Sequence, residues 1–323
     1  MTIGRDVELA VRLLRQGGVV AFPTETVYGL GARADSTQAV RRIFEIKQRP
    51  ATHPLIVHIR SAAEVSHFAV SISVEAEALM AAFWPGPLTL VFRRQPWVLL
   101  QVTGGLETVA LRVPNHPVAQ ALLEELNLGV AAPSANRFTE VSPTRSEHVE
   151  KDLGQEVDYI LDGGPSLVGI ESTIVDVSGP TVAVLRPGAV TQEQLETVLN
   201  RPVPVLVSNA AVRVPGQHPL HYAPRAEVVL LNASTLTDEA VALSSRGVRV
   251  GVLFNGIATR GFPSSVVVYE VRGGTEGLAR ELYHALRQLD DAGVDVILAC
   301  APELGGLGVA VNDRLAKAAG PRA

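Results

Sequence analysis

The chain has 323 residues, which at about 150 residues per domain implies two domains. Hydrophobic residues make up 47% and charged residues 19%, a composition that excludes global disorder. The net charge of −5 argues against a broad, non-specific nucleic-acid clamp, and 28 Gly and 21 Pro without a period exclude collagen-like and repeat arrays.

The first element reads as an amphipathic helix carrying Val7, Leu9, Ala10, Leu13 and Leu14, stopped by Gly17-Gly18. A short apolar strand, VVAF from Val19, ends at Pro23. Ser36 or Thr37 caps a second helix with Val40, Ile43, Phe44 and Ile46 on one face. Leu55 to Ile59 reads as a strand, and Glu64 to Phe83 as one or two helices broken near Ser71–Ser73. After the turn Trp84-Pro85-Gly86-Pro87 come the strands LTLVF and TVALRV, a helix near Val118–Leu126, and the strand GVAA. Further strands fall near Tyr159–Leu161, Ser172–Val177 and Val182–Leu185, with a helix near Gln192–Leu199. Strands with helices interspersed, not strictly alternating, give an α/β domain over residues 1–204: a twisted mixed sheet with helices outside it.

Residues 205–225 are rich in proline and lack a helical period, as a linker would. From 226 to 323, strands (VVLL from Val228, VRVGVLF from Val248, VVVYEV from Val266) alternate with helices (Leu278–Leu289, Asn312–Ala318). That pattern predicts a small Rossmann-like α/β domain with a largely parallel sheet. Gly305-Gly306-Leu307-Gly308 has the look of a phosphate loop but reads better as a plain turn. The single cysteine, Cys300, can form no internal disulfide, and no Cys/His cluster has zinc spacing. The N-terminal stretch lacks a basic head followed by a pure apolar run, and no apolar run approaches about 18 residues. A soluble, cytoplasmic protein is expected.

Common nucleotide and hydrolase fingerprints are absent: no GxxxxGK[ST], no GxGxxG after a strand, no HExxH and no GxSxG. Three segments nevertheless carry chemistry. Pro23 to Gly31 is a hydroxyl-rich loop leaving a strand end, where open sheets place ligands; the competing reading is a turn whose hydroxyls satisfy the backbone. In Lys47-Gln48-Arg49-Pro50, the proline favours extended chain at Arg49. Lys47 and Arg49 would then point the same way, roughly 6.5–7 Å apart, and grip a polyphosphate. A solvated basic helix end is the alternative. Ala131 to Asn136, followed by Ser142-Pro143-Thr144, offers small residues for close approach and hydroxyl and amide groups for a phosphate, or a set of Asx and Ser turns. His58, Arg112 and Arg186 interrupt apolar strands. A cation there requires an anion or a carboxylate, and a buried His is commonly a hydrogen-bonded structural residue.

These segments in this order resemble the YrdC-like family of L-threonylcarbamoyladenylate synthases. The resemblance runs over FPTETVYGLG (from Phe22), KQRP (Lys47), PLIVHI (Pro54), WPGPLTLV (Trp84), LRVP (Leu111), APSAN (Ala132), SPT (Ser142), ESTIVD (Glu171) and LRPG (Leu185). The HYAP segment and the residues after it resemble the longer, two-domain version. The resemblance implies an adenylyltransferase that joins L-threonine, bicarbonate and ATP into threonylcarbamoyl-AMP and pyrophosphate, with Mg²⁺. The product would feed the tRNA threonylcarbamoyl transferase machinery. It places Thr26, His58, Arg112, Ala132 and Ser172 at threonine. Lys47, Arg49, His53, Thr108, Ser134, Asn136, Ser142, Arg186 and Tyr222 fall on the ATP side, with Lys47 and Arg49 catalytic. No metal ligand stands out. The alternative is an RNA-binding or ribosome-assembly module using the same cations. A carbamoyl-adenylate domain of hydrogenase-maturation type would carry acylphosphatase-like and zinc-finger segments that this chain lacks.

Overall fold

The computed structural model describes residues 3–206, 214–215, 221–256 and 261–321. Of the proline-rich stretch 205–225, residues 207–213 and 216–220 lie outside the described residues. Two compact units emerge. The first comprises Met1–Phe138, Ser142–Leu167 and Glu171–Gln217; the second comprises Thr139–Val141, Val168–Ile170 and His218–Ala323.

The first unit holds strands β1 (Ile3–Gly4), β2 (Val20–Phe22), β3 (Gly29–Arg33), β4 (Ile56–His58), β5 (Leu88–Arg93), β6 (Thr108–Arg112), β7 (Val130–Ala131), β8 (Tyr159–Leu161), β9 (Thr173–Asp176) and β10 (Ala183–Arg186). They form one sheet in the order β1-β8-β2-β3-β7-β4-β6-β5-β9-β10. The pairings are mixed: β4 runs parallel to β6 and β5 to β9, whereas β2–β3, β3–β7, β7–β4, β5–β6 and β9–β10 are antiparallel. Its helices are α1 (Val7–Arg15), α2 (Thr37–Lys47), α3 (Val65–Phe68), α4 (Val74–Phe83), α5 (Leu100–Thr103), α6 (Pro117–Leu126), α7 (Ser146–Leu153) and α8 (Gln192–Leu199).

Local chemistry explains the helix starts. The Asp6, Ser36 and Ser73 side chains accept from the backbone N–H groups of Leu9, Ala39 and Ala76, and Thr191 with Gln194 forms a capping box. Side-chain alternation then separates two cores. Val57, Leu111, Leu90 and Val175 join buried residues of α2 and α4 on one side. On the other, Val20, Phe22, Val130 and Leu161 pack against α1 and α6.

The segment from Gly29 to Gly31, read from sequence as loop, is a central strand. The ring of Phe22 lies across it, so a Cβ at Gly31 would sit 2.8 Å from both Phe22 Cε1 and Val130 Cγ1. Glycine there allows an aromatic ring to cross the sheet face, and two glycines in three residues conceal the strand pattern. Strand β1 and helix α5 are too short for a clear periodic signal, being two and four residues long.

In the second unit, β11 (Glu227–Leu231), β12 (Val250–Asn255), β13 (Val267–Val271) and β14 (Val296–Cys300) form a sheet ordered β11-β14-β12-β13, with every pair parallel. Helices α9 (Ala233–Ser245), α10 (Gly274–Asp291) and α11 (Leu307–Ala318) accompany it. The helix expected from Asn312 begins at Leu307, which moves Gly308 from the expected turn into helix. A Cβ on Gly308 would lie 2.1 Å from the Glu303 carbonyl oxygen, so only glycine permits that first turn. The mixed sheet of the first unit and the parallel sheet of the second are the α/β architectures expected from the sequence.

Leu111 is fully buried in β6, next in sequence to Arg112. Leu111→Ala is expected to lower the unfolding free energy by about 2–5 kcal/mol, read as a fall in the urea midpoint of this unit's transition.

Candidate active site

One stretch of the sheet face carries the sequence's candidates. Ile56, Ala110, Val91, Ile174 and Leu185 form a small apolar cluster with Val214. The period of two places His58 beside Ile56, Arg112 and Thr108 in line with Ala110, Thr89 beside Val91, and Ser172 in line with Ile174. His58 and Arg112 are register partners across the parallel β4–β6 pair, and both are buried.

Arg112 organises one half of this face. Its Nη1 donates to Thr26 Oγ1 at 2.8 Å and its Nε to the Gly86 carbonyl of the Trp84–Pro87 turn at 3.3 Å. Its Nη2 lies 2.7 Å from Glu25 Oε1, an ion pair in which both side chains are more than nine-tenths buried. The Thr24 and Thr26 hydroxyls share a hydrogen bond of 2.8 Å, and the Thr24 hydroxyl donates to the Val27 carbonyl, which shapes the loop. The requirement read from sequence, that a cation in a strand needs an anion, is met by Glu25. That residue lies within FPTETVYGLG, where an acidic side chain in a loop gives no signal of its own.

His58 stands with its ring edge-on to Phe22, centroids 5.7 Å apart, and Nδ1 buried without a hydrogen-bond partner. Burial, with the Arg112 guanidinium second, pushes its imidazole down to about 3. At neutral pH it is therefore an uncharged ring. His116 is likewise pushed toward its neutral form, chiefly by burial.

The other half centres on Ser172 and Arg186. The Ser172 hydroxyl shares a 2.8 Å hydrogen bond with Thr89, and Arg186 donates to the Ser172 carbonyl through Nη2 at 2.8 Å and Nε at 3.2 Å. Arg186 Nη1 also donates to the Pro215 carbonyl at 3.1 Å. A register shift between Val184 and Arg186 pairs Arg186 with Ile174, so the intervening Leu185 is a bulge that turns both side chains to one face. Sequence spacing carries no sign of that bulge. Nearby in sequence, Ser142 donates to Glu171 Oε1 at 2.7 Å, both buried.

Lys47 and Arg49 differ from the expected extended pair. Lys47 ends α2, and Gln48 is its left-handed cap (φ 54°, ψ 40°), so the two cations flank a helix terminus. Nor is that terminus solvated, since both side chains are buried. Lys47 Nζ donates to the carbonyls of Ser134 and Asn136, and the Phe138 N–H returns to the Lys47 carbonyl, which fastens the APSAN loop to the helix. The same loop continues the sheet through a Gly29–Ser134 bridge and the Ala132 N–H to the Ile56 carbonyl. Arg49 donates to the Pro54 carbonyl at 3.0 Å and lies over the Phe138 ring, against which His53 packs edge-on. Asn136 is buried and donates to the Arg137 carbonyl. In the second unit Tyr222, at φ 59°, stacks on Tyr283 with Arg314 over its ring. Among the described residues no group of three or more His, Cys, Asp or Glu could hold a metal ion.

The family described as "Telomere recombination", covering Sua5, YciO and YrdC, matches residues 12–188. The chain belongs to this family. Residues 190–320 match the domain described as "Threonylcarbamoyl-AMP synthase, C-terminal domain". The threonylcarbamoyl-AMP synthase of Pyrococcus abyssi is 42% identical over 326 residues, covering 98% of this chain and 94% of its own length. That of Bacillus subtilis is 42% identical over 330 residues with the same coverage. The crystal structure of P. abyssi Sua5 complexed with L-threonine matches with a TM-score of 0.93 at 40% identity, over 99% of this chain and 98% of that one.

The neutral His58 makes stability depend on pH. With the ring held uncharged in the folded chain, the unfolded chain binds the extra proton between its ordinary value near 6.5 and about 3. Stability is therefore lost as pH falls through that window, at about 1.4 kcal/mol per pH unit. Urea midpoints at pH 7 and pH 5 should differ less for His58→Asn than for the native sequence. Gly188 closes the loop after Arg186, and a Cβ there would meet backbone atoms of residues 171–173 at 2.3–2.6 Å. Gly188→Ala is expected to cost about 1–3 kcal/mol in a denaturant titration, because no side chain can give way.

Proposed function

We propose that this chain is a threonylcarbamoyl-AMP synthase. The observation that carries the reading is the near-full-length match, at 42% identity, to two proteins bearing that name. The residues are suited to the chemistry. The threonine ammonium first gives up a proton to solvent; the amine nitrogen then bonds to the carbon of bicarbonate and one molecule of water leaves, giving a carbamate. A carbamate oxygen then attacks the α-phosphorus of ATP, and the bond to the departing pyrophosphate breaks.

No side-chain nucleophile takes part. The protein's task is to hold two anionic reactants in line and keep water from a labile carbamate. Arg112, already ordered by Thr26, Glu25 and the Gly86 carbonyl, is assigned to the threonine carboxylate, with His58, the Ala132 backbone and Ser172 around the rest. Lys47, Arg49 and Arg186 are assigned to the phosphates, and His53, Thr108, Ser134, Asn136 and Ser142 to the remainder of ATP. Mg²⁺ is assigned to the ATP itself. Phosphates and water can hold it without a protein cage, and the donor set here fits that mode, with the carboxylates of Glu25 and Glu171 on separate segments. In this reading the product supplies threonylcarbamoyl transfer to tRNA in the cytoplasm.

The test is pyrophosphate release with ATP, L-threonine, bicarbonate and Mg²⁺, omitting each in turn. Arg49→Ala is expected to lower the rate by about 100-fold or more with the fold retained by circular dichroism. Lys47→Ala should lower both rate and melting temperature, because it also releases the Ser134–Asn136 loop. Native turnover in Arg49→Ala would remove the phosphate assignment.

A further inference from the structure

Glu25 is a buried carboxylate with an unusual set of neighbours. Its Oε1 is 2.7 Å from Arg112 Nη2, yet neither Glu25 oxygen accepts a hydrogen bond from any described residue, and Arg112 Nη2 donates none. The pair is close in distance but not aligned for hydrogen bonding. A buried carboxylate without donors is costly, and its lone pairs remain available to a ligand that brings N–H groups. The same holds for the N–H groups of Nη2, which lack an acceptor. The two charges thus offer complementary free valences side by side: donors from a guanidinium and acceptors from a carboxylate.

A molecule that satisfies both carries an anion and an ammonium a few ångströms apart, the constitution of an α-amino acid. We propose that Glu25 binds the ammonium of the amino-acid substrate while Arg112 binds its carboxylate. This rests on the reading of the site as the place of L-threonine. Charge balance favours the arrangement. Arg112 and Glu25 together carry no net charge, and a zwitterion adds none, so each buried charge meets its opposite. Without Glu25, an ammonium would be buried beside a guanidinium. The neighbouring imidazoles cannot replace the carboxylate, since neutral His58 and His116 supply no negative charge. Thr26, held by Nη1, keeps the guanidinium plane fixed while Nη2 redirects its hydrogen bonds.

The experiment is calorimetric titration of the full chain with L-threonine and with 3-hydroxybutyrate, which keeps the carboxylate and hydroxyl and replaces the ammonium by hydrogen. The native protein is expected to prefer threonine by about 30-fold or more, the scale for losing one partner of a buried charge pair. In Glu25→Gln that preference should fall to within about 3-fold of unity, with 3-hydroxybutyrate affinity maintained. Glu25→Asp, whose carboxylate is drawn back by one methylene, should give an intermediate preference and stands in if the amide variant does not fold by circular dichroism. An unchanged preference in the folded variants overturns the assignment. So does an equal loss of both ligands, which would mean that Glu25 acts only by holding Arg112. If the native protein binds no threonine, with or without ATP, the functional reading itself fails, an outcome distinct from an unaltered preference.

Discussion

A guanidinium placed inside a strand and buried there imposes the constraint that the rest of this site answers. Arg112 cannot be buried without partners, and these come from two other segments: Glu25 and Thr26 from the loop after β2, Gly86 from the turn before β5. Distant parts of the chain are thereby held to one side chain. The same logic recurs with Arg186 and the Ser172 carbonyl, and with Lys47 and the carbonyls of Ser134 and Asn136. In all three, a cation expected to meet a phosphate or carboxylate also has a structural duty. Substitutions at these positions will therefore mix effects on binding with effects on loop position, and only paired measurements of rate and stability separate the two.

Much of the architecture could be read from the residues because its signals are local. Caps at Asp6, Ser36 and Ser73, glycine at position 17 and the alternation in LTLVF and TVALR act within a few residues of where they are written. The parallel sheet of the second unit was readable for the same reason. The strand at Gly29–Arg33 was not, because its reason for having glycines is the Phe22 ring that crosses it, a partner reached only through sheet pairing. Lys47 and Arg49 stand out as cations, but Pro50 suggests an extended chain where the helix instead ends in a left-handed cap at Gln48. Local propensity identifies the residues and misjudges the backbone between them.

The site shows the same division. His58, Arg112 and Arg186 announce themselves as polar interruptions of apolar strands, so periodicity alone flags them, whereas Ser172 enters only through the family resemblance. Glu25, Thr89 and Glu171 do not, since an acidic or hydroxyl residue in a loop or at a strand start is ordinary by composition. Their significance is that each is buried against a particular partner: Arg112, Ser172 and Ser142 respectively. Contacts that span 29 positions, as between Ser142 and Glu171, or 83, as between Thr89 and Ser172, have no short-range signature.

The bulge at Leu185 gives β10 a fixed parity. In a regular strand, neighbours point to opposite faces, and Leu185 and Arg186 could not share one. The extra residue shifts the count by one, so that Arg186 reaches Ser172 while Val184 keeps its place in the opposite core. Surface loops absorb insertions and deletions by changing length alone. Here length is unchanged and only the pairing matters: were the same residues paired regularly, without the bulge, Arg186 would share the face of Val184 and its guanidinium would lie on the wrong side of the sheet. The bulge is therefore as necessary to the position of the guanidinium as the identity of the arginine itself.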